Sequence, residues 1–201
     1  MRFSEIKDHL SGFRVGIAGA GGLGSTCAVA LARSGVGTLV ISDFDVIEPA
    51  NLNRQYYFTS QVGMLKTIAL KENIARINPD ITVIALAEML DHLNIPEIFA
   101  GCDVIVEAFD KDDMKEMIAE TVQTRMPGTP LVMGSGLAGW GKSETIKFRK
   151  IDETLYICGD ESTTAGDEMP PMAARVGIVA NMQANTVIEI LMKKTRDYFR
   201  Q

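Results

Sequence analysis

The chain has 201 residues, 46% hydrophobic and 23% charged, the balance of an ordinary globular domain rather than of a disordered or collagen-like chain. Its formal net charge of -6 argues against a broad nucleic-acid footprint, which takes clustered Lys and Arg to neutralise phosphates. Three cysteines, Cys27, Cys102 and Cys158, form neither an even set nor a C-x-x-C pair, which argues against a disulfide scaffold and a structural zinc site. No apolar run approaches the roughly 18 residues of a membrane span, and Met1 to Phe13 holds no leader core, so the expected setting is cytoplasmic, without a membrane.

Periodicity and punctuation predict strands alternating with helices. Arg14 to Ala18 (RVGIA) reads as a strand buried on both faces, and a helix follows over Gly22 to Ser34, stopped by Gly35. The β-branched run Thr38 to Ser42 is a second strand. A loop through Pro49 to about Phe58 leads to a helix from about Val62 to Ile77, with Asn78-Pro79-Asp80 as its stop. Ile81 to Leu86 is a third strand, Ile95 to Phe99 a short helical crossover, and Asp103 to Glu107 a fourth strand. Met114, Met117, Ile118, Thr121 and Val122 then mark the stripe of an amphipathic helix. Pro130 to Met133 is a fifth strand. Glu144 to Lys150 and Thr154 to Tyr156 read as a hairpin, Cys158 to Pro171 as a loop, and Val176 to Leu191 as a long final helix.

This rhythm predicts an α/β fold with a doubly wound, mostly parallel sheet of Rossmann-like type and added antiparallel strands near the C-terminus. In such a sheet, ligands bind beyond the carboxyl ends of the strands, where strand order reverses.

The first strand runs into Gly19-Ala20-Gly21-Gly22-Leu23-Gly24, a G-x-G-x-x-G between strand and helix. Glycines there permit a tight turn and close approach of a phosphate, and the helix N-terminus offers unpaired N–H groups and partial positive charge. Asp43 ends the second strand and is placed to accept hydrogen bonds from ribose hydroxyls, which suits NAD or ATP equally. The loop after it, Asp43-Phe44-Asp45-Val46-Ile47-Glu48-Pro49-Ala50-Asn51-Leu52-Asn53-Arg54-Gln55, separates the two. A dehydrogenase needs no basic loop at that point, whereas a triphosphate bound without a P-loop lysine needs cations from elsewhere, and Arg54 and Lys66 are the natural suppliers.

That stretch, followed by Val62, Gly63 and Lys66, by Arg76-Ile77-Asn78-Pro79, by Asp110, and by Pro171-Met172-Ala173 and Gly177-Ile178-Val179, resembles the ThiF/MoeB/ubiquitin-activating-enzyme superfamily from Arg14 to Leu191. Length and the Cys158-Gly159-Asp160 element are most similar to the small second branch of bacterial ThiF proteins. The resemblance implies a single adenylation domain over 1–201, with an N-terminal arm at 1–13 and a loop at 158–171. It implies ATP-dependent adenylation of the C-terminal Gly-Gly of a ThiS-like, ubiquitin-like sulfur carrier in thiamine thiazole formation, by a homodimer. It implies that Gly19, Gly21, Gly22 and Gly24 form the phosphate turn and Asp43 the ribose ligand. Asn51, Arg54, Gln55 and Lys66 would bind the nucleotide, and Asp110 would hold Mg2+. Arg54, Lys66 and Asp110 are the expected catalytic residues.

The chain departs from the superfamily at several points. Many relatives carry two zinc-binding C-x-x-C pairs, whereas this chain has only Cys158 in that region, so no zinc is expected and Cys158 is the one candidate for a covalent thiol. Relatives often reach an N-terminal arginine into a partner's site, and Arg2 is the one arginine in this arm. Where the superfamily shows Asp-Asn and then an arginine, this chain has Asp110-Lys111 and Lys115, and a lysine there can pair with phosphate without offering a planar fork. His9 and His92 pair with no nucleophile. Three other readings stay open at this point: activation of another carrier such as a MoaD-like protein, a nucleotide-binding scaffold without turnover, and an NAD-dependent oxidoreductase.

Overall fold

The computed structural model describes residues 1–194. Its core is a seven-stranded sheet in the order β3-β2-β1-β4-β5-β7-β6, with β1 at Arg14–Ala18, β2 at Thr38–Ser42, β3 at Thr82–Leu86, β4 at Val104–Glu107, β5 at Leu131–Gly134, β6 at Lys147–Lys150 and β7 at Leu155–Gly159. All neighbours are parallel except β6 and β7. The helices are α1 at Phe3–Leu10, α2 at Gly22–Ser34, α3 at Lys66–Ile77, α4 at Ile95–Ile98, α5 at Asp112–Arg125 and α6 at Ala173–Lys193. The doubly wound sheet with its antiparallel pair is therefore as the sequence predicts.

Residue pattern explains both faces. On β1, Val15 and Ile17 point to one side, where Leu23, Cys27 and Leu31 of α2 and Val179, Val187 and Leu191 of α6 close the core. Gly16 faces the other side, where a Cβ would lie 2.5 Å from Phe99 Cδ1, so the glycine is what lets the fully buried Phe99 ring lie on the sheet. Ile118 and Val122 of α5 complete that second layer with Ile105 and Leu131, as their helical spacing predicts. Gly35 takes φ +94° and its N–H closes α2 on the Leu31 and Ala32 carbonyls, the left-handed stop that only glycine adopts without strain.

The arm at 1–13 contains a helix, α1, whose Leu10 is fully buried. Two expectations are corrected. Helix α3 starts at Lys66 rather than Val62, because residues 62–64 form a turn with Gly63 at φ +88°, Leu65 makes an isolated antiparallel bridge with Val46, and the Lys66 N–H donates to the Asp45 carbonyl. Cys158 and Gly159 belong to β7 rather than to the loop, since their partners on β6, Phe148 and Lys147, extend the ladder.

Strand order runs 3-2-1 to one side of the β1/β4 seam and 4-5 to the other. Chain connections therefore leave β1 and β4 in opposite directions, and a crevice opens between their carboxyl ends.

Candidate active site

A cavity of about 930 Å³ lies at that crevice. The phosphate turn forms its floor. Gly19 has φ +96°, and a Cβ on it would sit 2.9 Å from the Ala108 carbonyl oxygen, so glycine is required by both conformation and contact. Gly21 and Gly22 line the cavity. Gly24 does not: a Cβ there would fall 1.9 Å from the Gly19 carbonyl oxygen, and its task is to let α2 press against the turn.

The backbone of Ala20 is gripped on both sides of its Cα. Its N–H donates to Asp43 Oδ2 at 2.7 Å, and its carbonyl accepts from the Tyr57 hydroxyl at 2.7 Å. Asp43 Oδ1 accepts the Asp45 N–H at 2.8 Å. A carboxylate has about four acceptor positions, so Asp43, which lines the cavity, keeps capacity for a ribose. Burial pushes its carboxyl above the ordinary range, against the lowering effect of these N–H groups and of Lys66.

The expected cations sit on the same wall. Arg54 lines the cavity and donates only to Asn53 Oδ1 at 2.9 Å and the Ala50 carbonyl at 3.4 Å, so its charge has no carboxylate partner among the described residues. Lys66 is held differently: its side chain is 8% exposed and its Nζ pairs with Asp45 Oδ2 at 2.6 Å. Gln55 lines the cavity, and its buried Oε1 has no hydrogen-bond partner among the described residues. Asn51 is not brought to the cavity wall. Its Oδ1 accepts the Glu48 N–H at 2.9 Å, which closes the short 3-10 turn Pro49–Asn53.

Asp110 is exposed on the opposite lip. It is not the cap of α5, a position held by Lys111, and its carboxylate has no hydrogen-bond or ion-pair partner among the described residues. Beneath it Glu107, fully buried, pairs with Lys115 at 2.8 Å. Burial pushes the Glu107 carboxyl up, and Lys115 with the Phe109 and Gly134 N–H groups opposes that rise.

Sequence reasoning missed the brace behind the part of the cavity lined by residues 161–167. Asp160 Oδ1 accepts from the N–H of Ser162 and Thr163 and from the Ser162 hydroxyl, and its Oδ2 accepts from the Thr163 hydroxyl and Arg175 Nη2. Arg175 also donates to the Gly141 and Lys142 carbonyls and to Thr145 Oγ1. The pair is 4% and 1% exposed and ties the 135–145 loop, the 160–163 turn and the start of α6 into one body. Burial would raise the Asp160 pKa, but the Thr163 and Ser162 N–H groups, Arg175 and the Thr163 hydroxyl outweigh it and hold the carboxyl well below the usual range. The signal was present as an arginine within the apolar stripe of α6 and as the turn-forming D-x-S-T pattern.

Cys158 is fully buried beside Thr186, and burial pushes its thiol up to about 11. Cys27 and Cys102 are also free and buried. A buried, protonated thiol is inert toward acyl capture in this conformation.

A glycine turn at the switch point, with an acidic strand end and cations on one wall, defines the nucleotide-binding class of doubly wound α/β proteins. Within that class, residues 3–201 match the ThiF family, and the chain belongs to it. The chain is 29% identical to the molybdopterin-synthase adenylyltransferase of Salmonella typhimurium over 193 residues, covering 93% of this chain and 76% of that protein. It is 35% identical to the SAMP-activating enzyme E1 of Haloferax volcanii over 195 residues, covering 94% and 70%. Some relatives are much longer: the chain spans 42% of the Saccharomyces cerevisiae adenylyltransferase and sulfurtransferase UBA4. Its fold is that of the Escherichia coli tRNA N6-threonylcarbamoyladenosine dehydratase TcdA, solved with AMP, at a TM-score of 0.84 and 19% identity over 94% of this chain and 89% of that one. No helix among the described residues is long and apolar enough to cross a membrane.

Proposed function

We propose that the protein is an adenylyltransferase that uses ATP to activate the C-terminal carboxylate of a small ubiquitin-like sulfur carrier, a ThiS-like protein. The observation that carries this reading is the single cavity wall on which the phosphate turn, Asp43, Arg54, Gln55 and Lys66 meet, with Asp110 on the facing lip. The names of the Salmonella and Haloferax relatives support the reaction class.

In this reading a carboxylate oxygen of the carrier attacks the α-phosphorus. The new P–O bond forms as the bond from the α-phosphorus to the bridging oxygen breaks, and pyrophosphate leaves with that electron pair. The reaction brings anions together, so the protein supplies position and positive charge and needs no side-chain nucleophile. Free N–H groups at the start of α2 receive a phosphate. Arg54, with no carboxylate to satisfy, pairs with a phosphate oxygen, and Lys66, aligned by Asp45, adds a second cation. Asp43 accepts from the ribose hydroxyls with the lone pairs that Ala20 and Asp45 leave over. Asp110, exposed at the cavity with no partner among the described residues, would hold Mg2+, which would neutralise phosphate charge there. The protein acts as a homodimer.

A MoaD-like carrier is the second reading, favoured by similarity to the Salmonella enzyme. The test is incubation with ATP, Mg2+ and either a ThiS-like or a MoaD-like carrier, followed by intact-mass measurement of the carrier. An AMP adduct on the ThiS-like protein supports the first reading and one on the MoaD-like protein supports the second. Absence of any adduct and of pyrophosphate release overturns both.

A further inference from the structure

The Glu107–Lys115 pair has no part in the steps above, yet it sits at the seam where β4, β5 and α5 meet beneath the cavity. Lys115 Nζ donates to Glu107 Oε1 at 2.8 Å, to Glu107 Oε2 at 3.0 Å and to the Gly134 carbonyl at 2.8 Å. An ammonium has three donors. All three are spent, so Lys115, although it lines the cavity, has none to give a phosphate without breaking a contact to a carboxylate that is fully buried. Stripping the partner from such a group is strongly unfavourable, which keeps Lys115 in place.

Glu107 passes the constraint on. Its Oε1 accepts the Phe109 N–H at 2.6 Å and its Oε2 the Gly134 N–H at 3.3 Å, while Gln183 of α6 donates to the Glu107 carbonyl at 2.8 Å. The Phe109 peptide immediately precedes Asp110, and Ala108 backs the phosphate turn at Gly19. Resting on the adenylation reading for its catalytic consequence, we infer that Lys115 is a positioning residue and not a phosphate ligand. Through Glu107 it holds the Ala108–Asp110 turn so that the Asp110 carboxylate faces the nucleotide.

The experiment compares K115M, E107Q, K115R and the double variant E107Q/K115M by melting temperature, by hydrogen exchange at the Phe109 amide, by ATP and AMP affinity, and by carrier-dependent ATP–pyrophosphate exchange. K115M leaves a buried carboxylate unpaired, so its melting temperature falls and Phe109 exchanges faster. The double variant removes both charges and recovers much of the melting temperature. It retains fast Phe109 exchange, and its kcat is lowered roughly tenfold to a hundredfold, the scale of a misplacement of about 1 Å, with the KM for ATP nearly unchanged. K115R restores protection and rate. Two outcomes overturn the inference: K115M weakening ATP at least tenfold more than AMP while E107Q has no effect, which makes Lys115 a phosphate ligand, or the double variant regaining kcat together with melting temperature, which makes the pair structural only. If the wild-type protein turns over no carrier, the adenylation reading fails by itself. Phe109 exchange still decides the clamp: faster exchange in both E107Q and K115M supports it, and unchanged exchange overturns it.

Discussion

The Tyr57 hydroxyl donates to the Ala20 carbonyl across 2.7 Å, so the loop that carries Arg54 and Gln55 is fastened directly to the phosphate turn. Both are shaped together, because Asp43 holds the N–H of the same residue, on the adjoining peptide. Tyr57→Phe leaves the Ala20 carbonyl without this donor and is expected to cost about 1 kcal/mol of stability. ATP affinity should drop several-fold. Urea denaturation and calorimetric ATP titration check this, and an unchanged affinity would separate the brace from the nucleotide site.

Asp110→Ala touches an exposed side chain with no partner among the described residues. Stability should stay within about 0.5 kcal/mol of wild type. Carrier-dependent ATP–pyrophosphate exchange should be abolished, measured by return of labelled pyrophosphate to ATP. Exchange at the wild-type rate would sink the role given to Asp110.

The Asp160–Arg175 pair sets an acid limb on stability. The Asp160 pKa is held below its unfolded value of about 4, so its ionised form contributes stability that is full above that value and lost as pH falls toward the folded pKa. Asp160→Asn leaves the buried Arg175 charge unpaired and is expected to cost about 3–5 kcal/mol at neutral pH. The variant should also lose less stability than wild type on acidification below about pH 4. Denaturation midpoints across a pH series read both effects, and parallel pH profiles would count against the assignment.

Cys158 should resist alkylation in the folded protein and react on unfolding, since its thiol is buried and pushed up to about 11. Cys158→Ala should keep carrier adenylation at the wild-type rate for a stability loss of roughly 1 kcal/mol. Mass spectrometry after iodoacetamide tests the first part. Loss of AMP transfer in the variant would return a covalent role to this thiol.

Elements whose identity depends on local periodicity were legible: β1 and β2 match their predicted bounds, and α2 begins and ends where the glycine turn and Gly35 place it. Elements defined by a neighbour were not. Helix α1 is short, and what holds it is burial of Leu10 in the main core and the His9 imidazole against the Leu191 carbonyl, a contact across 182 residues. Extension of β7 through Cys158 depends on pairing with β5 and β6, which no local pattern announces.

The sequence by itself determined the class of the site. The G-x-G-x-x-G turn, the acidic end of β2 and the N-L-N-R-Q loop are contiguous stretches whose chemistry follows from residue type and spacing. Only the tertiary structure decided which polar groups are spent and which are free. Lys66, Lys115 and Arg54 are alike in sequence as isolated cations, yet the fold sets Asp45 against the first and buried Glu107 against the second, leaving Arg54 without a carboxylate among the described residues. It likewise turned Cys158 from a loop thiol into a core residue, and braced the segments that edge the cavity through the buried Asp160–Arg175 pair. The cause is the same each time: a charge or a thiol acquires its role from partners brought close by packing, and those partners lie on other elements, from 8 to 28 residues away along the chain.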